Sequence, residues 1–574
     1  MALERIPDQI METDLLIIGG GAGGCVAALR AVESGMKVLL WEKAGILRSG
    51  SASVGIRSIR NVLPPELSLE EVAERISKGE LIGGEERLFR GIVDENILYA
   101  GYRDCWDLVK DLERWGIDFH WKGEEYNLQF YSRTGARTNL RFRGGADLKK
   151  NLALKVLSSP VTVGERIMAI DLVTEGERVA GATGLNIRSG EFVAAKAKAV
   201  LLSTGSVVRL YHPLGGVATG RFKMIYTHAP SPGDGSAMAF RAGAELVNME
   251  VIYEGGGVGT ISPHPYDSLC TRTGPLLGRD GKAPIVNARG EQLGEGRVDG
   301  ESILKEEEEG RGPCYIDPTS LPEEIHERMA DAKKDAQPIS AQFIKERGFD
   351  TRTHKFELLP YRGNRLECCL AGIKIDEHTR TSVKGLYAAG DNVGGTTYDG
   401  LGGAMVFARK AAIEAGAYIQ NLKETPLNED QVAASKEQVI APLRVKDGVA
   451  PLELEMKIRD ILERYCGAFR SEGRITQGLW RLNSVKEKFL SQLQARTPHE
   501  LMNVQGAKNL LLLAEIHLQS ARERKESKPG NWRIDYPDKK HDPWKKSVIA
   551  QKEGEEIQIF QKELPALKPE YRGK

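Results

Sequence analysis

The run Asp14-Leu-Leu-Ile-Ile passes directly into Gly19-Gly-Gly21-Ala-Gly-Gly24, and this junction constrains the fold more than any other part of the chain. A short apolar run bounded by glycine reads as a buried parallel strand. The Ala/Leu/Val-rich stretch to Glu33 reads as a helix, and Lys37-Val-Leu-Leu-Trp as a second strand ending on Glu42. Gly19 permits the tight turn, Gly21 lets the backbone approach a pyrophosphate, and Gly24 lets the helix pack close to the strand. The helix N-terminus offers free N–H groups and a positive dipole end to phosphates. Glu42, at the end of its strand, is placed to accept from both ribose hydroxyls. Strand, glycines, helix, strand and acid in this order specify a dinucleotide-binding unit.

At 574 residues the chain has room for several domains and a large core. Lys plus Arg (80) equals Asp plus Glu (80), so overall charge supplies no case for a nucleic-acid or anionic-membrane partner. Residues 1–14 contain no apolar core of a secretory signal. No run approaches the roughly 18 apolar residues that a membrane span needs. The seven cysteines are odd in number and never arranged as CxxC. They predict a reducing cytoplasm, with neither an iron–sulfur cluster nor any other metal site in this chain. Cys368-Cys369 lies in an apolar stretch and reads as a pair of buried small hydrophobes.

Helical patterns run over Leu67–Lys78 and Val93–Trp115, with Gly79 and Gly116 as C-caps, and near Ala146–Leu157. Val161–Lys198 alternates like a β-meander and leads into the buried strand Ala199-Val-Leu-Leu-Ser-Thr204-Gly205. Pro232-Gly-Asp234-Gly235 opens a helix to Gly243. From Val251 to His354 the composition shifts to Gly, Pro and acidic residues, which marks an inserted domain. Gly385-Leu-Tyr-Ala-Ala-Gly390-Asp391 then reads as a short strand, and Gly400-Leu-Gly402-Gly403-Ala404 opens a helix to about Leu422. Residues 430–525 are helical by periodicity, broken at Pro442 and Pro451. The charged end from Lys528 reads as a partly extended surface tail. The expected division is 1–250 and 355–425 for two parts of the nucleotide-binding domain, 251–354 for the insertion, 426–527 helical, and 528–574 tail.

Taken in order, these motifs resemble the flavoproteins of the fumarate reductase/succinate dehydrogenase superfamily, nearest in look to its adenylylsulfate reductase alpha branch. The motifs that carry the resemblance are Gly19–Glu42 with Lys43…Arg48-Ser49-Gly50-Ser51, Ser203-Thr204-Gly205, Gly233-Asp234-Gly235, Gly390-Asp391 with Gly402-Gly403-Ala404, and Arg524…Arg533-Ile-Asp535-Tyr536-Pro537. The resemblance implies an α/β fold: a Rossmann-like FAD-binding domain, an inserted α+β capping domain and a C-terminal helical domain. It also implies FAD, held by Gly19, Gly21, Gly24, Glu42, Lys43, Arg48, Ser49, Gly50, Ser51, Thr204, Gly205, Asp234, Gly390, Asp391, Gly402, Gly403 and Ala404.

The departures are as informative as the matches. Gly50 stands where succinate dehydrogenases carry the histidine that bonds FAD, so the cofactor is expected to be non-covalent. Glu367 stands at or beside the carboxylate-anchoring histidine, Asp399-Gly400 replaces the substrate arginine, and Met249-Glu250 runs into Tyr253-Glu254-Gly255 with no capping-edge histidine. Three groups that clamp a dicarboxylate are missing, and carboxylates in their place repel succinate. The catalytic candidates are Arg279 and Arg365 for an anionic group, and Glu367 and Tyr398 for a proton. Arg272 and Arg362 are weaker cationic candidates, while His228 and His264 read as ordinary loop residues. Glu254-Gly-Gly-Gly-Val-Gly259 is followed by prolines and carries no helix onto a phosphate, so a second dinucleotide site is rejected. The expectation is an FAD oxidoreductase acting on a small substrate, whose redox partner is a ferredoxin-like iron–sulfur subunit. The alternative is a flavin-bearing electron-transfer subunit with no substrate of its own.

Overall fold

The computed structural model describes residues 9–54, 56, 58–80, 91–120, 125–129, 137–143, 147–212, 231–252, 257–258, 284–293, 300–324, 326–327, 345–348, 350–359, 366, 368–398, 400–420, 422, 426–467, 469–528, 530–537 and 545–572. Its centre is a sheet in which Gln9–Ile18 pairs in parallel with Val38–Glu42 on one side and Phe192–Leu202 on the other. Thr162–Glu165 and Leu386–Ala388 extend it as further parallel strands. Leu15, Leu16 and Ile17 are wholly buried, as a strand covered on both faces requires. The helix Ala22–Glu33 crosses one face and packs on Gly400–Ile419. On the far side of Phe192–Leu202 the sheet turns antiparallel through Arg178–Asn186 and Ile167–Glu175, the meander expected from the alternation.

Local signals set the helix ends. Ser68 caps Leu69–Lys78 through a reciprocal capping box with Glu71, and Gly79 closes the helix in a left-handed conformation. Asp94 caps Glu95–Arg114, and Thr497 with Pro498 starts the long helix Pro498–Glu523. That helix packs with Pro451–Tyr465 and Glu472–Phe489 as the helical domain. Pro451 begins a helix, while Pro442 sits in a short 3₁₀ turn.

Two boundaries differ from the sequence reading. The insertion contains a four-stranded sheet ordered Gly257–Val258, Phe356–Leu359, Cys314–Ile316, Ile285–Val286, beside the helix Gly300–Glu308. Phe356–Leu359 therefore belongs to the inserted lobe, which extends beyond residue 354. The C-terminal segment is not a loose tail. Lys546–Glu553 and Glu556–Glu563 form a hairpin whose first strand pairs with Leu246–Val247, within a second sheet that continues to Gly372–Lys374 and Val393–Gly394. The hairpin buries Val548, Ile549 and Ala550 and leaves its Lys- and Glu-rich face to solvent, so its charge pattern resembles that of a tail.

The six cysteines in the described regions are buried, Cys368 and Cys369 among them. Among the described residues, no group of three or more acidic, His or Cys side chains is gathered to hold a metal. Nor is any helix among them long and apolar enough to cross a membrane.

The helical domain meets the nucleotide-binding domain through a buried histidine. His517 Nδ1 lies 2.7 Å from the Met249 carbonyl, and Nε2 lies 2.7 Å from the Tyr211 hydroxyl. Burial, reinforced by the Arg470 guanidinium, pushes its pKa from 6.5 down to about 3. A histidine kept neutral in the fold stabilises it fully above pH 6.5, and that stabilisation is lost as pH falls toward 3. The thermal midpoint is expected to decline across this window, and His517→Gln should flatten part of the decline.

Candidate functional site

The cofactor motifs, far apart in sequence, converge at the carboxyl ends of the parallel strands. Gly19 turns with φ +105°, and its N–H donates to the Trp41 carbonyl at 2.8 Å. A Cβ on Gly19 would sit 2.3 Å from the Ser203 carbonyl oxygen, and one on Gly24 would sit 1.9 Å from that of Gly19. Both positions therefore exclude any side chain. Gly21 is different: a Cβ there meets nothing within 4 Å, so the helix N-terminus opens onto free space.

The other motifs close around this opening. Gly50 approaches Gly21, with 3.0 Å between its Cβ position and the Gly21 Cα, so the Arg48–Ser51 segment crosses the glycine turn. Ser49 is buried and Arg48 exposed. The Ser203 hydroxyl lies 3.0 Å from a Cβ position on Gly23 and 3.3 Å from one on Gly390. The Ala404 carbonyl lies 2.8 Å from the same Gly23 position, which brings Gly402-Gly403-Ala404 to the first helix. Asp391 and Gly205 are half-buried on the adjoining turns.

Charged groups line one side. The Glu42 carboxylate accepts from the Gly20 and Ala44 N–H groups, each at 2.7 Å, which holds it beside the glycine turn. Lys43 donates to Asp234 at 2.7 Å, linking the segment after Glu42 to the helix Asp234–Arg241. The Thr204 hydroxyl is buried with no hydrogen-bond partner. An orphaned hydroxyl, an open helix N-terminus and a strand-end carboxylate fit the phosphates and sugar hydroxyls of FAD.

Sequence reasoning missed two contributors. Glu165 accepts from the Ile46 N–H at 2.7 Å, and the fully buried Lys149 donates to the Ile46 carbonyl. Together they pin the segment between Glu42 and Arg48. Glu165 ends a parallel strand beside Glu42, a position that the alternation from Val161 makes legible. Lys149 carries no such signal, because it looks like any exposed helical lysine.

Among the catalytic candidates, Arg279, Arg365 and Glu367 lie outside the described residues, as do Arg272, Arg362, His228, His264 and most of the rejected 254–259 motif. Tyr398 is described, and it packs in the core. It is fully buried over Gly101, whose Cβ would sit 2.4 Å from the Tyr398 ring, with Tyr102 and Phe407 edge-on at 5.1 and 5.9 Å. Burial, with the Cys105 thiol beside it, pushes its hydroxyl well above the usual tyrosine range. Of the four catalytic candidates Tyr398 is thus the one described, and its side chain lies wholly within the core.

A dinucleotide cradle of this form, interrupted by a mixed lobe and followed by a helical domain, defines a class of FAD-binding flavoproteins. An FAD binding domain model matches residues 14–405, and a fumarate reductase flavoprotein C-terminal model matches residues 455–572. The chain belongs to this FAD-binding family and is an FAD-dependent oxidoreductase of the fumarate reductase/adenylylsulfate reductase type. It is 26% identical to one of the subunits of the fumarate reductase (CoM/CoB) of Methanothermobacter marburgensis, over 95% of this chain and 98% of that one. It is 23% identical to the L-aspartate oxidase of Streptomyces coelicolor, over 95% and 92%. Among solved structures, adenylylsulfate reductase from Archaeoglobus fulgidus superposes with a TM-score of 0.79 at 22% identity, over 99% of this chain and 97% of that one.

Proposed function

We propose that the chain exchanges an electron pair between non-covalent FAD and a small substrate beneath the inserted lobe, with a separate iron–sulfur carrier as its other redox partner. The observation that carries this reading is the inserted sheet Gly257–Leu359, retained in a chain that has lost three dicarboxylate-binding groups. A lobe that excludes water serves chemistry on a small molecule, whereas an electron relay needs none. Two relatives bear the names of subunits, one of the CoM/CoB fumarate reductase and one of an adenylylsulfate reductase, which supports a partner protein. The lack of a cluster-type cysteine motif in this chain supports the same partner. Few cysteines for the length, odd in number and never spaced as CxxC, support a reducing compartment, the cytoplasm.

Bound FAD would supply the two-electron chemistry. Gly19, Gly21 and Gly24 would shape its phosphate site, Glu42 would hold its ribose, and the Lys43–Ser51 segment would help hold it. The helix Gly400–Ile419 has no acidic residue in its first turn, and its positive end would favour negative charge at the cofactor. Arg279 and Arg365 are assigned to an anionic group of the substrate, and Glu367 to a proton. With carboxylates near the former clamp, the substrate is an activated C=C compound or an oxidised sulfur compound rather than fumarate. Gly50 has no side chain to bond flavin, so acid precipitation is expected to leave all flavin in the supernatant and none in the pellet.

The functional test is anaerobic reoxidation of the photoreduced holoprotein by fumarate, adenylylsulfate, enoyl-CoA esters or oxidised ferredoxin. Fast reoxidation by one small molecule other than fumarate supports the reading. Reoxidation by ferredoxin alone overturns it in favour of an electron-transfer subunit, which the missing clamp residues also suit.

A further inference from the structure

One side chain of the cofactor cradle is held by the helical domain. Asp234 opens its helix with the two carboxylate oxygens engaged on different sides. Oδ2 accepts from Lys43 Nζ at 2.7 Å, and Oδ1 accepts from Asn509 Nδ2 at 2.8 Å. Asn509 belongs to the helix Pro498–Glu523 and is 4% exposed. Its amide oxygen accepts from Arg241 Nη1 at 2.8 Å. Arg241 is itself fixed by the Ile170 carbonyl at 2.8 Å and by Asp171 at 2.5 Å.

A guanidinium only donates, so Arg241 forces the amide oxygen of Asn509 toward itself and the NH₂ toward Asp234. Asn509 thus accepts from a cation and donates to an anion at once. Leucine can do neither, and an ionised aspartate can do only the first. Lys43 directly follows Glu42 and begins the segment that reaches Gly50, where a Cβ would sit 3.0 Å from the Gly21 Cα.

We propose that Asn509 is a positioning residue for FAD: it orients Asp234, which anchors Lys43 and sets the Lys43–Ser51 segment over the phosphate-facing helix end. The helical domain thereby controls cofactor retention through three side chains, beyond any packing it supplies. Helix propensity and burial at position 509 do not distinguish these roles, but coupling to Lys43 does.

The test follows FAD release from diluted holoprotein by the rise in flavin fluorescence. Asn509→Leu is expected to speed release about tenfold, the effect of losing a hydrogen bond to a charged group. In a Lys43→Met background the same change should alter release by less than about twofold, because the downstream anchor is already gone. Asn509→Asp, nearly isosteric and able to fold if the leucine variant does not, should also speed release at pH 7. Unchanged release in either single variant overturns the proposal. An equal tenfold effect with and without Lys43 also overturns it, and would make Asn509 a packing residue.

Discussion

Gly24→Ala is expected to yield protein that folds poorly and purifies with little flavin. The new methyl would lie 1.9 Å from the Gly19 carbonyl oxygen, a backbone atom at the tight turn and unable to swing aside. The helix Ala22–Glu33 must lift from the strand Gln9–Ile18, and its N-terminus moves away from the phosphate site. Overpacking of this kind costs about 1–3 kcal/mol, or roughly ten- to a hundredfold in FAD affinity if it is borne by binding. Gly21→Ala provides the contrast. Gly21 has φ −62°, and its Cβ would enter open space. That variant should keep the thermal midpoint of the FAD-free protein and lose only cofactor, because the methyl occupies ground a phosphate needs. Flavin-to-protein absorbance and melting of the FAD-free forms separate the two outcomes. Equal melting of both variants would show that the 1.9 Å approach relaxes without cost.

Arg524→Met is expected to destabilise the fold by about 3–5 kcal/mol, the range for removing one member of a buried charge cluster. Arg524 is 1% exposed at the end of the long helix. Its Nε donates to Glu250, its Nη1 to Glu526 at 2.8 Å and its Nη2 to the Asn248 side chain at 3.1 Å. Glu250 and Glu526 are fully buried, and each leaves its second oxygen without a partner. Removing the guanidinium therefore takes from Glu250 its charged partner and leaves Glu526 with Lys528 alone, 3.6 Å away. Burial already holds the Glu526 pKa above its ordinary 4.5. A raised folded pKa means stability that is present at low pH and lost as pH rises through that pKa. The deficit of the variant should be largest near neutrality and shrink toward pH 4.5, as urea unfolding at several pH values will reveal. Adding Glu250→Gln should recover part of the loss, and a loss independent of pH would count against the charge explanation.

Much of this architecture was legible because its signals are local. A buried strand, a glycine turn and a helix need only neighbouring residues, so Asp14–Glu42 could be read directly. The same holds for the meander, the capped helices Leu69–Lys78 and Glu95–Arg114, and the proline-broken helical domain. What escaped reading depends on distant partners. The hairpin Lys546–Glu563 pairs with Leu246–Val247, far earlier in the chain, and its outer face is polar enough to pass for a tail. Tyr398 stands beside a glycine-rich motif, yet Gly101 lacks the Cβ that would keep its ring out of the core. Asn509 and Lys149 look like ordinary helical residues, and only their neighbours in space give them a task.

By itself the sequence determined the dinucleotide-binding class, the order of the domains and the absence of a histidine at position 50, since each depends on residue type at fixed spacing. Tertiary structure alone decided which side chains hold the cradle together. Asp234, Lys43 and Asn509 meet because strand pairing and helix packing bring three separate segments within hydrogen-bond distance. Hydrogen bonds act over about 3 Å, and no pattern along the chain encodes that proximity.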